Sequence, residues 1–70
     1  MPQGKVKRLV ADRGFGFVEA GRNDLFFHHS DLRNAEFPDI RLSDPVEFNI
    51  GYNAEGEPVA KNVRLVLDDM

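Results

Sequence analysis

The chain has 70 residues, no cysteine and a formal net charge of −3, from 9 lysines and arginines against 12 aspartates and glutamates. This length predicts one domain covering residues 1–70, and the missing cysteines exclude both a disulfide framework and a thiolate metal site. The first ten residues hold no long apolar run, so we expect no signal peptide and no membrane-spanning helix, and a cytoplasmic protein is the default.

Short apolar runs rich in valine and phenylalanine, separated by turn residues, predict β-strands along the chain. They are residues 5–10 (KVKRLV), 15–20 (FGFVEA), 25–29 (LFFHH), 45–52 (PVEFNIGY) and 59–67 (VAKNVRLVL). The segment 30–44 contains Pro38 and many polar residues, which predicts a long loop with room for one helical turn. Five short strands at this spacing predict an all-β fold, a small five-stranded antiparallel barrel.

Four of the six phenylalanines lie within residues 14–29. Alternate residues of a strand share a face, so Phe15 and Phe17 lie on one side of the second strand and Gly16 on the other. Periodicity favours burial of these rings, because an aromatic stripe usually belongs to a core. Two features favour the opposite orientation: Phe26 shares its face with an acid and a histidine, and glycine suits the inner side of a sharply bent strand. The residues alone leave the orientation open.

The segments GKVKRLVADRGFGFVEA and DLFFHHSDL together resemble the cold-shock domain, a five-stranded OB-fold barrel. That family carries two ribonucleoprotein motifs on neighbouring strands, and their counterparts here are Gly14-Phe15-Gly16-Phe17 and Leu25-Phe26-Phe27-His28. The segments PVEFNI and GEPVAKNV resemble the last two strands of the family, so the likeness covers nearly the whole chain. In the family, the matching three Phe and one His point outward and stack on bases.

The resemblance implies binding of single-stranded RNA or DNA and an RNA-chaperone role, in which captured bases cannot pair and RNA stays unstructured without ATP. It implies no enzymatic activity, cofactor, metal, small-molecule substrate or membrane partner. We expect a monomer, while the open sheet edge of such a barrel leaves a strand-exchanged dimer as an alternative. Rings stack on bases, and flanking cations meet phosphates. The predicted nucleic-acid-binding residues are Lys7, Arg8, Arg13, Phe15, Phe17, Phe26, His28, His29, Phe37 and Lys61.

Three positions depart from the family pattern. Arg8 and Leu9 stand where the family usually has Trp and Phe, and His29 stands where it often has Phe or Gln. A guanidinium can stack on a base and also meet a phosphate, whereas Leu9 is expected to pack. We therefore expect weaker and more salt-dependent binding than a tryptophan-bearing relative shows.

Two other classes of function compete with this interpretation. A metal-dependent enzyme could use His28, His29 and Asp31, but adjacent strand residues point to opposite faces and no second cluster completes the coordination. A protein-interaction module on the same barrel fits the net acidity, the missing tryptophan and the apolar run 65–67. What separates nucleic-acid binding from protein binding is whether the phenylalanine face is flanked by cations or covered by another chain.

Overall fold

A computed structural model describes residues 2–66 and contains five strands. Two one-turn 3-10 helices, His29–Asp31 and Phe37–Asp39, lie in the connection between the third and fourth strands, where the sequence predicted a loop with one helical turn. The strands are β1 (Gln3–Val10), β2 (Phe15–Ala20), β3 (Asn23–His28), β4 (Pro45–Tyr52) and β5 (Pro58–Leu65).

The predicted strands all exist, and their bounds agree best where the alternation is regular. The second and fourth have the predicted bounds. The third begins earlier and ends at His28, so the prediction that His29 belongs to it is wrong. The last strand ends at Leu65, and residue 67, its predicted end, lies outside the described residues.

The strands close into a barrel in the order β1-β2-β3-β5-β4. Four of the neighbouring pairs are antiparallel, but β3 and β5 are parallel. A closed ring with an odd number of strands cannot alternate direction all the way round, so at least one pair must run the same way. The five-stranded all-β barrel is therefore confirmed, and the prediction that it is purely antiparallel is wrong in this one pair.

One apolar cluster fills the barrel. Its largest fully buried side chains are Phe27 and Phe48, from β3 and β4. Full burial of a phenylalanine stabilises a fold by about 1.5–3 kcal/mol, so these two rings are major contributors to stability. The other members are Val6, Val18, Leu25, Ile40, Val46, Ala60 and Val63.

Gly16 settles which face of β2 is the inner one. It is buried, and a Cβ atom placed on it would lie 2.5 Å from the carbonyl oxygen of Arg8 and 2.9 Å from the ring of Phe27. The interior has no room for a side chain at this point. Phe15 and Phe17, on either side of Gly16, lie on the outer face of the strand, and the orientation implied by the family resemblance is confirmed.

Candidate nucleic-acid interface

The outer face of β1, β2 and β3 carries side chains in rows that cross the strands. Phe17 lies opposite Phe26, and Phe15 lies opposite His28. On β1, Arg8 is the cross-strand partner of Phe17. The two sequence motifs therefore form one continuous surface, and we call Phe15, Phe17, Phe26 and His28 the aromatic platform.

The three phenylalanine rings of the aromatic platform touch one another. Ring centroids lie 5.3 Å apart for Phe15 and Phe26, 5.9 Å for Phe17 and Phe26, and 6.1 Å for Phe15 and Phe17. These are the usual separations of interacting aromatic pairs. Phe26 is 37 % exposed, and the other two are half-buried because the rings shield each other. The result is a contiguous apolar patch at the surface.

A bulge in β1 places two consecutive cations on this side of the barrel. The register between β1 and β2 shifts between Val6 and Arg8, so Lys7 is the extra residue. Strict alternation would turn one of the pair Lys7 and Arg8 inward, yet both are exposed. Leu9 then returns to the interior and packs against the core, as predicted. The bulge itself is a feature that the sequence analysis missed.

The cations of this region differ in how they are paired. Lys7 Nζ lies 3.1 Å from the Asp24 carboxylate, and both side chains are about half exposed. Such an exposed pair contributes about 0–1 kcal/mol, so water or a phosphate competes with it readily. Arg8 and Arg13 are exposed and form no ion pair within residues 2–66. Arg13 lies in the turn that joins β1 to β2.

His28 ends β3 and caps the 3-10 helix that follows. Its backbone N–H donates to Asp31 Oδ2 at 2.9 Å, and its Nδ1 accepts from the Ser30 N–H at 3.3 Å. The rings of His28 and His29 lie with centroids 4.1 Å apart. The prediction that the two rings point to opposite faces is therefore wrong, because the strand ends between them. His29 is exposed, and a Cβ atom on Gly14 would lie 2.7 Å from its ring.

Phe37 and Lys61 lie beyond the His28 end of the aromatic platform. Phe37 is half-buried, with its ring centroid 6.2 Å from that of Phe27, and it lines a groove of about 590 Å³ that also includes His29. Lys61 is exposed on β5, and its Nζ lies 3.5 Å from Asp31 Oδ1. The structure thus brings both predicted residues near the histidines and not against the three outer phenylalanines.

A cleft at the opposite end of the aromatic platform was not predicted. It has a volume of about 240 Å³ and is lined by Phe17 and Phe26 together with Asp24, Asn53 and Glu57. Asn53 and Glu57 belong to the turn between β4 and β5, which comes close because β5 runs beside β3, where Phe26 is paired with Val59. No local sequence signal reports this contact, since it depends on how the barrel closes.

Residues 2–66 contain neither a candidate metal centre nor a candidate membrane-spanning helix. No group of three or more histidine, cysteine, aspartate or glutamate side chains is arranged to hold a metal ion. No helix in this part of the chain is long and apolar enough to cross a membrane.

The chain was compared with known proteins. The family model described as "'Cold-shock' DNA-binding domain" matches residues 2–66. The chain is 41 % identical over 66 residues to "Probable cold shock protein A" of Mycobacterium tuberculosis, covering 91 % of this chain and 97 % of that protein. It is 38 % identical over 68 residues to "Cold shock protein" of Arthrobacter globiformis, covering 94 % and 100 %. It is 36 % identical over 66 residues to "Cold shock protein CspA" of Staphylococcus saprophyticus, covering 93 % and 100 %.

Proposed function

The chain belongs to the family of the "cold-shock" DNA-binding domain, and from this premise we propose that it binds single-stranded RNA or DNA by stacking unpaired bases on the aromatic platform. The observation that carries the proposal is the division of the phenylalanines. Phe27 and Phe48 are completely buried in the core, while three other rings cluster on the outer face of the sheet. A contiguous exposed apolar patch normally marks a binding surface.

The charges around the rings support nucleic acid as the ligand. Arg8, the cross-strand partner of Phe17, is exposed, Lys7 precedes it on β1, and Arg13 is exposed in the turn that leads into β2. In the proposed complex these cations meet the phosphates, while each stacked base contributes about 1–3 kcal/mol with little dependence on its identity. His28 and His29 extend the stacking surface towards Phe37, and Lys61 supplies a further cation near that end.

An RNA-chaperone role follows from this mode of binding. A base that lies flat on a phenylalanine ring cannot pair with another strand, so capture of unpaired segments shifts RNA away from secondary structure. The shift comes from binding free energy alone, and the proposed activity needs neither ATP nor a catalytic residue.

The test measures affinity for fluorescently labelled oligo-dT and oligo-U. Phe15→Ala and Phe26→Ala should each weaken binding by about 5- to 150-fold, which corresponds to the loss of one stacked base. Tyr52→Ala is the matched control: Tyr52 is 69 % exposed on β4 and forms no aromatic pair with the platform rings within residues 2–66. Unchanged affinity in the two phenylalanine variants would refute stacking on these rings.

The proposed RNA-chaperone activity is tested separately, by the opening of an RNA hairpin. A labelled RNA hairpin with a quencher should brighten when the protein is added without ATP, and Phe26→Ala should reduce the effect. A protein that binds oligo-U but leaves the hairpin closed would be a nucleic-acid-binding protein without this activity.

The protein-interaction alternative makes the opposite prediction. If the phenylalanine face docks another protein, the wild type should show little affinity for either oligonucleotide at physiological salt. The same alanine variants would then leave that weak affinity unchanged.

A further inference from the structure

The cleft at the Phe26 end of the aromatic platform has the features of a base-reading site. Two of its walls are the rings of Phe17 and Phe26, against which a base can stack. The polar residues that line it are Asp24, Asn53 and Glu57. A base that stacks at this end therefore turns one of its edges towards hydrogen-bonding side chains.

The two carboxylates differ in availability. Both oxygens of Asp24 lie near the Lys7 ammonium, at 3.1 and 3.3 Å. Within the described part of the chain, Glu57 forms no ion pair with any lysine or arginine. It has only a 3.2 Å hydrogen bond, donated by the Asn53 side chain to Oε1. Of the two carboxylates, Glu57 therefore has the more acceptor capacity left, on Oε2 and on the second lone pair of Oε1.

Asn53 fixes the position of Glu57 through the turn that carries both. Its side-chain oxygen accepts the backbone N–H groups of Glu55 and Glu57, each at 2.9 Å. Its backbone N–H donates to the Glu57 carbonyl oxygen at 3.0 Å. With the side-chain contact, these bonds order the turn before a ligand arrives, so the carboxylate loses little freedom when it accepts a further hydrogen bond.

A carboxylate accepts hydrogen bonds and cannot donate them. Guanine presents two neighbouring donors, N1–H and the N2 amino group, on its Watson–Crick edge, which match the two oxygens of one carboxylate. Uracil and thymine present a single N–H flanked by two carbonyl oxygens, which repel a negative charge. Single-stranded bases are read on this edge when they stack on aromatic side chains.

We propose that Glu57 reads the base that stacks against Phe17 and Phe26, and that it gives the protein a preference for guanine over uracil or thymine at this one position. The inference rests on the proposed function, because it requires a base on the rings. It adds a sequence preference to a surface that would otherwise accept every base alike.

The experiment compares a uridine hexamer with hexamers that carry one guanosine at each position in turn. The hexamer whose guanosine falls in the cleft should bind wild-type protein about five- to tenfold more tightly than the uridine hexamer does. Replacing that guanosine by inosine removes the N2 amino group and should abolish most of the preference. Replacing it by 7-deazaguanosine leaves the Watson–Crick edge intact and should preserve it.

Glu57→Gln and Glu55→Gln form a matched pair of variants. Both remove one negative charge from the same turn, but Glu55 does not line the cleft. Both should raise affinity for the uridine hexamer slightly through the lost charge, and Glu57→Gln should do so more, because it also relieves the repulsion with the uracil carbonyl oxygens. Only Glu57→Gln should reduce the guanosine preference, to about twofold or less. Each variant should melt at the wild-type temperature, which shows that the turn and barrel remain folded.

The outcomes separate this inference from the function on which it depends. Equal affinity of the wild type for all hexamers, or a guanosine preference that survives in Glu57→Gln, would overturn the inference and leave the proposed function standing. Failure to bind any hexamer would overturn both.

Discussion

Phe26 and Phe27 are neighbours in β3, yet they belong to two different regions of the molecule. Phe27 is completely buried in the core, whereas Phe26 is 37 % exposed and touches two other surface rings. Their opposite positions follow from the alternation of side chains along a strand. The same residue type therefore serves stability on one face and, in the proposed function, ligand capture on the other, and substitutions should separate these two roles.

The largest expected effect is on stability. Phe27→Ala should lower the free energy of unfolding by about 3–5 kcal/mol, because it leaves a cavity in the core. A domain of this size has little stability to lose, so much of this variant should be unfolded at 37 °C. Phe26→Ala should lower the free energy of unfolding by only about 1–2 kcal/mol, because a ring that is 37 % exposed loses less burial and leaves no core cavity. Urea titration measures both, and equal destabilisation would contradict the division of roles.

The next prediction concerns the cation that borders Phe17. Arg8→Trp should tighten binding to oligo-U about fivefold, because an indole offers a larger stacking surface. It should also flatten the dependence of log affinity on log salt by about 0.7, the share of one phosphate contact on a single strand. Affinity measured at several salt concentrations gives both quantities.

Arg64→Trp is the control for this substitution. Arg64 is also exposed on a strand, but its cross-strand partner is Glu47 on β4 and not a residue of the aromatic platform. It should leave affinity unchanged. A tryptophan at position 8 that fails to tighten binding would count against Arg8 as part of the stacking surface.

A smaller effect is expected from the ion pair beside the rings. Asp24→Asn frees Lys7 for a phosphate and removes a charge that repels the backbone. Affinity for oligo-U should rise about two- to fivefold at low salt, in line with the value of an exposed pair. In a Lys7→Gln background the same substitution should have a weaker effect, and a double-mutant cycle measures the difference. Independent effects of the two substitutions would show that the pair does not compete with phosphate.

The smallest effect is expected from His28, at the end of the aromatic platform. His28→Gln removes a half-buried ring that can stack on a base, so affinity for oligo-U should fall by about two- to threefold, less than in the phenylalanine variants.

His28→Gln tests the assignment, and His29→Gln separates the contribution of the adjacent ring. Unchanged affinity in His28→Gln would remove His28 from the binding site.

Much of the fold could be predicted from local patterns. Alternation and turn residues predicted β2 and β4 with their observed bounds, and the spacing of strands predicted the barrel. The orientation of Phe15 and Phe17 could not be derived from periodicity. Alternation shows that the two rings share one face of β2, but it does not show whether that face is the inner or the outer one. Their orientation needed the family resemblance, and the structure agrees because Gly16 faces an interior that has no room for a side chain.

What the sequence did not predict depends on irregular or long-range features. The bulge at Lys7 interrupts alternation, so Lys7 and Arg8 both face outward. Because β3 ends at His28, the ring of His29 lies beside the ring of His28 and not on the opposite face. The approach of Glu57 to Phe26 arises from contact between β3 and β5, which are far apart in the sequence. In each case the deciding contact lies outside the window of residues that local patterns describe.

The odd number of strands has a consequence for how a ligand can lie. Because β5 runs parallel to β3, the start of β5 and the turn before it lie beside Phe26. On the other side of the platform, β1 lies beside Phe17. The β1 side is cationic and the turn on the other side carries a carboxylate, so the two sides of the platform differ in charge. In the proposed complex, a strand with phosphates along one edge and bases along the other would therefore lie with its backbone over β1 and its bases towards β5.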